Sequence, residues 1–169
     1  MKLKVTYEEQ LRAHEVALER IRQIYGQQDH GSRYDRRITF HEFVAQMAES
    51  IAAEMVVARY FGFKNFDPAD SRFKETADVG SRIEVKWTKY EMGSLIIYET
   101  DRNSDIAILV TGTTPNYELK GWIPVAIAKN PRWKHRSQPT WWIDQYNLHP
   151  IENLRSSSHG EAALSMPQV

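Results

Sequence analysis

Asp78, Glu84 and Lys86 lie close together in the chain, and Glu54 stands upstream inside an otherwise apolar run. On a β-strand, residues two apart share a face. In the segment 82–88, which reads Arg-Ile-Glu-Val-Lys-Trp-Thr, Glu84 and Lys86 therefore project together, while Ile83, Val85 and Trp87 take the opposite face. Carboxylates gathered at one point repel each other and are costly without a cation. Two carboxylates and a strand carbonyl are the hard oxygen donors that magnesium prefers, with water completing its shell. A cation held so polarises a phosphate oxygen and lowers the pKa of bound water, and a neighbouring lysine stabilises phosphate charge. That set is the minimum equipment for phosphodiester hydrolysis.

A Glu-x-Lys triplet alone is common, and the chain has a second, Glu118-Leu119-Lys120. The second follows a Pro-Asn turn and has no aspartate a hairpin's length before it. The first is preceded by Ala77-Asp78-Val79-Gly80-Ser81. A three-residue connection over 79–81 puts Asp78 on the face of Glu84, whereas a two-residue Gly80-Ser81 turn puts it opposite Ile83 on the wrong face. The reading predicts the odd loop, or a bulge, with Gly80 at positive φ. Glu54, three positions after Ile51 and four before Ala58, is placed at the border of a buried helical stripe.

The elements that must carry these residues are readable from spacing. Thr6 and Glu9 form a capping box, and Leu11, Leu18, Ile21 and Tyr25 make the apolar face of an amphipathic helix ending at Gly26. Residues 27–37 are polar and read as a loop. Thr39 and Glu42 form another capping box. Phe40, Phe43, Val44, Met47, Ala48, Ile51, Ala52 and Met55 then mark a core helix running to about Phe61, with Gly62 as its stop. After a connection over 63–72 the period changes to two. Strands are predicted at 82–88, 94–98, 105–111, 117–123 and 140–143. A short helix is predicted over 124–130 and a helical turn over 150–154. Residues 155–169 are too polar and small to predict structure. Two helices followed by strands argue a mixed α/β fold, with the second helix packed on a central sheet.

Composition bounds the rest. The chain has 169 residues, 22 Lys+Arg against 22 Asp+Glu, and no cysteine. The length suits one domain. The absence of cysteine excludes a disulfide scaffold, a cysteine zinc site, an iron–sulfur cluster and a cysteine nucleophile, and it suits a reducing cytoplasm. The longest apolar run, Ile106 to Val110, falls far short of the about 20 residues a membrane span needs. MKLKVTYEEQ lacks the apolar core of a signal peptide. The histidines at 14, 30, 41, 135, 149 and 159 show no ligand spacing. With zero net charge, a nucleic-acid partner has to be held by a local patch.

Glu54 in a helix, then Asp78, then Glu84-Val85-Lys86 on a strand resembles the PD-(D/E)XK nuclease superfamily over roughly residues 40–128. The resemblance implies a restriction-endonuclease-like fold: a central mixed sheet flanked by helices, here with an N-terminal amphipathic helix. It implies that Asp78, Glu84 and the Val85 carbonyl hold Mg2+, with Mn2+ able to substitute. Glu54 would assist through a bound water, and Lys86 would position the nucleophilic water. Ala77 stands where the motif has proline, and only five residues separate Asp78 from Glu84, which forces a tight hairpin. The expected domain is 1–154, with helix and loop over 1–37, the motif-bearing core over 38–128 and a disordered tail over 155–169. The small single-domain form resembles nucleases of phages and Holliday-junction resolvases.

Between Leu119 and Ile143 no acidic residue occurs, while basic residues and tryptophans interleave. Basic groups neutralise phosphates and exposed indoles stack bases. Arg132, Trp133, Lys134 and Arg136 are the expected nucleic-acid contacts, with Lys89 beside the strand; Trp122, Trp141 and Trp142 are assigned to the core. Arg33, Arg36 and Arg37 form a second basic cluster. Asp101, Asp105 and Glu99 become extra ligand candidates where their strand neighbours the site. The expectation is a magnesium-dependent DNA nuclease of the cytoplasm, a host's if phage-encoded, with RNA an alternative substrate and a homodimer formed through the first helix. Two other readings compete: an inactive nucleic-acid-binding module of the same fold, and a protein-interaction domain.

Overall fold

The computed structural model describes residues 1–24, 38–70 and 76–165. Helix α1 (Tyr7–Ile24) starts at the expected capping box: Glu9 N–H donates to Thr6 Oγ1 at 3.1 Å, and Thr6 N–H to Glu9 Oε2 at 2.7 Å. Its buried face is Ala13, Val16, Ala17 and Ile21. Leu11 and Leu18, expected on that face, are exposed together with Tyr7. The reason is steric. The facing helix α2 (Phe40–Phe61) presents Ala48, Ile51, Ala52, Val56 and other small or branched residues, and a small-on-small contact lets two helices approach more closely than leucines would. The expected stop of the first helix at Tyr25 and Gly26 and the loop expected over 27–37, with the arginine cluster 33, 36 and 37, lie outside the described residues.

Helix α2 has the predicted limits. Thr39 and Glu42 close a capping box, and Gly62 takes the left-handed C-cap at φ 81. Burial begins at Ala48; Phe40, expected in the stripe, is exposed. The helix lies on a four-stranded sheet ordered β1-β5-β4-β2, built from β1 (Lys2–Lys4), β2 (Ile83–Thr88), β4 (Ile106–Thr113) and β5 (Asn116–Pro124). β2 runs parallel to β4, and the other pairs are antiparallel. β1 was not anticipated; it pairs with β5. The sheet's helix-facing side carries Ile83, Val85, Ile106, Ile108, Val110 and Leu119, which join α1 and α2 in the main core.

The opposite side carries Ala107, Leu109 and Ile123. It packs on a small second sheet of β3 (Leu95–Tyr98) and β6 (Thr140–Ile143) through Leu95, Ile97 and Ile143. Short helix α3 (Val125–Ala128) follows Pro124 and closes this second core. The arrangement is a mixed α/β one in layers. Residues 155–165 are not a structureless tail: they include helix α4 (Gly160–Leu164), with Ala163 fully buried in the main core. Arg155 donates to the Phe61 carbonyl at 2.8 Å, which ties this segment to the end of α2. Among the described residues no helix is long and apolar enough to cross a membrane.

Candidate active site

β2 is an edge strand of the sheet among the described residues, and its ladder decides which backbone groups stay free. Ile106 N–H donates to the Arg82 carbonyl at 2.7 Å. By the alternation of a parallel ladder, Arg82, Glu84 and Lys86 bond toward β4, while Ile83 and Val85 turn their N–H and C=O to the open edge. Ile83 uses that edge to pair with Val79, each N–H donating to the other's carbonyl at 3.1 Å. Residues 80–82 close the connection, one position later than the predicted 79–81. The odd count is kept, so Asp78 stands opposite Glu84 on the shared face. Gly80 has φ 59, as predicted. A Cβ there would lie 2.8 Å from the Ala163 carbonyl oxygen, and Ser81 Oγ donates to the Ala162 carbonyl at 2.5 Å. Helix α4 thus braces the turn that aims Asp78.

The next outward group on β2, the Val85 N–H, donates to Asp78 Oδ2 at 2.7 Å. By the same alternation the Val85 carbonyl also faces the open edge. Glu54 arrives from α2, deeper than the border position expected: it is 3% exposed. It is held by a partner that sequence spacing did not supply. Arg20 of α1 donates through Nη1 to Oε1 and through Nη2 to Oε2, at 2.9 Å each, and Nη2 also reaches the Pro68 carbonyl at 2.9 Å. Burial raises the Glu54 pKa, and Arg20 offsets part of the rise. Asp78 is pushed well above the usual carboxylate value, first by burial and then by the charges of Glu54 and Glu84; the Val85 N–H and Lys86 pull the other way.

Lys86 leaves β2 beside Glu84. Its Nζ lies 2.8 Å from Glu84 Oε1 and 2.8 Å from Asp101 Oδ2, and 5.2 Å from the centre of the Tyr98 ring. Burial opposes the ammonium, but Glu84 and Asp101 outweigh it and raise the Lys86 pKa. Asp101 is itself fixed by the end of β3, where Oδ2 accepts the Tyr98 N–H at 2.9 Å. It acts as a partner of the lysine, the neighbouring strand having brought it to the site. Asp105, by contrast, is buried in an ion pair with Arg102. The second triplet is separate: Lys120 and Glu118 pair with each other at 2.7 Å on β5.

The structure therefore brings Glu54, Asp78, Glu84 and Lys86 together, adds Arg20, and places the conditional candidate Asp101 against Lys86. The donors fit a hard divalent cation in one specific way. Asp78 and Glu84 face each other across the hairpin, the Val85 carbonyl points out at the same edge, and burial with the charges of Glu54 and Glu84 holds Asp78 well above the usual carboxylate range. Both Glu54 oxygens are taken by Arg20, so Glu54 fits as a neighbour acting through water. Among the described residues no three carboxylate or imidazole side chains converge closely enough to hold a metal on their own.

The expected nucleic-acid contacts are sorted by exposure. Arg132, Lys134 and Arg136 are exposed. Trp133 is half-buried against the second core, with the Arg132 guanidinium 3.8 Å over its ring. Lys89 is exposed, its Nζ 5.3 Å from the Tyr90 ring centre. Trp122 is buried as expected and Trp141 is half-buried, but Trp142 is 40% exposed. Neighbours on a strand point to opposite faces; with Trp141 against the core, Trp142 must face out. Comparison of the chain with protein-family models, with curated proteins and with solved structures finds no match.

Proposed function

We propose that the chain is a small magnesium-dependent nuclease of the PD-(D/E)XK type, with a restriction-endonuclease-like core, hydrolysing phosphodiester bonds of DNA. The observation that carries this reading is the meeting of Asp78, Glu84 and Lys86 at the open edge of β2, beside buried Glu54. A divalent cation, Mg2+ or Mn2+ in its place, held by Asp78, Glu84 and the Val85 carbonyl, would supply Lewis acidity toward a phosphate oxygen and the attacking water. Lys86 stays protonated between Glu84 and Asp101 and offers a fixed positive charge to the phosphate. Glu54, locked by Arg20, contributes a fixed acceptor that can orient water. The acid-free stretch with Arg132, Lys134 and Arg136 supports a nucleic-acid partner. Exposed Tyr7, Leu11 and Leu18 on α1 support pairing of two copies, and a cytoplasmic setting goes with the reading.

The test is an incubation series. Supercoiled plasmid, linear duplex, single strand and four-way junction are each treated with and without magnesium, using wild type, Asp78→Asn and Lys86→Ala. Cleavage by wild type alone, and only with the metal, is expected. Equal cleavage by wild type and Asp78→Asn means the site is misassigned. DNA retention on a gel with no cleavage in magnesium or manganese refutes the enzyme and leaves the inactive binding module.

A further inference from the structure

Of the five tryptophans, Trp142 is the one the fold leaves exposed. Trp87 and Trp122 donate through Nε1 to the Gly112 and Pro150 carbonyls. Arg132 covers the ring of Trp133, and Lys134 Nζ sits 3.9 Å over that of Trp141. Trp142 stands directly across from Ile96 on β3. Tyr98 shares the face of Ile96, and its ring borders Lys86. On the other side of β6 runs the basic segment. Lys134 bridges to Trp141, His135 N–H donates to the Thr140 carbonyl at 2.8 Å, and the His135 ring lies 5.3 Å from that of Trp142. Basic segment, open indole, Tyr98 and Lys86 thus follow one another across the small sheet, with adjacent strands about 4.8 Å apart.

We infer that this face binds an unpaired stretch of the DNA substrate, with a base stacked on Trp142 and a flanking phosphate held by Arg136; Lys134 stands across from Trp141 and shares its face, opposite to that of Trp142. The inference rests on the nuclease reading and names the substrate class of the same site. A duplex hides the faces of its bases, whereas an unpaired base offers one to an aromatic ring. The indole is pre-set for this, because its Nε1 donates to Thr140 Oγ1 at 3.1 Å. The charge is complementary as well. No acidic side chain lies between Leu119 and Ile143, and Asp144 beyond it is engaged by Ser94 and Tyr146.

The test measures binding apart from cleavage. Fluorescence anisotropy of a labelled oligodeoxythymidylate and of a blunt duplex of equal length is recorded in EDTA at low salt, with wild type, Trp142→Ala and Trp142→Phe. Wild type should bind the single strand more tightly than the duplex. Trp142→Ala should weaken single-strand binding roughly 5- to 100-fold, the range of one lost stacking contact, and leave duplex binding unchanged. Trp142→Phe should keep most of the affinity. The inference is overturned if Trp142→Ala leaves single-strand binding unchanged, if it weakens both ligands alike, or if wild type binds neither. Single-strand binding through Trp142 without cleavage in magnesium refutes the nuclease and keeps the platform. Cleavage of single strands at equal rates by wild type and Trp142→Ala does the reverse.

Discussion

Removing the Arg20 guanidinium leaves Glu54 buried and charged with no partner of comparable strength. The pair is shielded on both sides, with side chains 11% and 4% exposed, and its two hydrogen bonds are each 2.9 Å. Breaking one member of a buried pair typically costs about 3–5 kcal/mol, because the surviving charge remains desolvated. For a domain of this size each kcal/mol moves the melting temperature about 2–4 °C, so Arg20→Gln should lower it by roughly 6–20 °C. Glu54→Gln should cost less, since arginine can extend toward water. The Arg20→Gln/Glu54→Gln double variant should recover much of the loss and give a coupling energy above about 2 kcal/mol. Urea unfolding followed by tryptophan fluorescence measures all four proteins. The pH dependence has a definite sign. Burial already raises the Glu54 pKa, and loss of Arg20 raises it further. Both folded proteins hold the proton at low pH, so the deficit against wild type grows as pH rises through the raised wild-type Glu54 pKa, above the ordinary glutamate value of about 4.3, where wild type ionises and the variant does not, and it shrinks in acid. A cost below about 1 kcal/mol, or strictly additive single variants, would refute the account of Arg20 as the clamp of Glu54.

Three further outcomes follow from the same geometry. Asp78 carries a raised pKa from burial, Glu54 and Glu84, so its charge weakens the fold as pH rises above the unfolded aspartate value of about 3.9. Asp78→Asn should therefore melt higher than wild type at pH 8, lose that advantage near pH 3, and abolish cleavage; equal melting at pH 8 contradicts this. Asp101 helps hold the Lys86 ammonium, so Asp101→Asn should lower the Lys86 pKa and move the alkaline limb of the cleavage pH profile toward lower pH; an unmoved limb rules that role out. Gly80→Ala places a Cβ 2.8 Å from the Ala163 carbonyl at φ 59, and should cost about 1–2 kcal/mol from the left-handed backbone alone. Unchanged thermal melting would mean the turn does not depend on glycine.

What the sequence carried was periodicity, and where periodicity failed the reason was size or topology. Ile83, Val85 and Trp87 alternate with Glu84 and Lys86, so the strand and its two faces were legible; counting left an odd and an even turn open, and the odd parity chosen held while the pairing moved by one residue, to Val79 with Ile83. Arg20 was missed because the first helix was oriented by its largest residues. The closer contact belongs to Ala13, Val16, Ala17 and Ile21, and that spacing places position 20 on the buried side. Asp101 was a candidate only on the condition that its strand neighbours the site; the docking of β3 beside β2 meets that condition for Asp101, which reaches Lys86, while Asp105 pairs with Arg102. Trp142 was misread although its signal was present: consecutive residues on a two-layer strand cannot both face the core. Helix α4 was masked by composition, since its anchors are backbone carbonyls that take Ser81 and abut Gly80.

The charges at the edge of β2 are compensated unequally. Arg20 answers Glu54 through two hydrogen bonds, and Lys86 is shared between Glu84 and Asp101. Asp78 receives one backbone N–H and the more distant pulls of Lys86 and Arg20, against the repulsion of Glu54 and Glu84. A chain selected for stability alone would gain by making position 78 neutral, because an asparagine can still accept from Val85 without adding to the repulsion from Glu54 and Glu84. The positive charges sit closest to Glu54 and Glu84, and the least compensated negative charge is left on Asp78, which is bound to the outward Val85 N–H at the edge of β2. The second triplet, although as shielded as the first (Lys120 and Glu118 14% and 27% exposed, Lys86 and Glu84 13% and 24%), carries no such imbalance: Glu118 is answered by Lys120 and Lys2, with no further carboxylate beside it among the described residues. The contrast between the two Glu-x-Lys triplets of one chain is therefore the internal control that favours a cation site at the first.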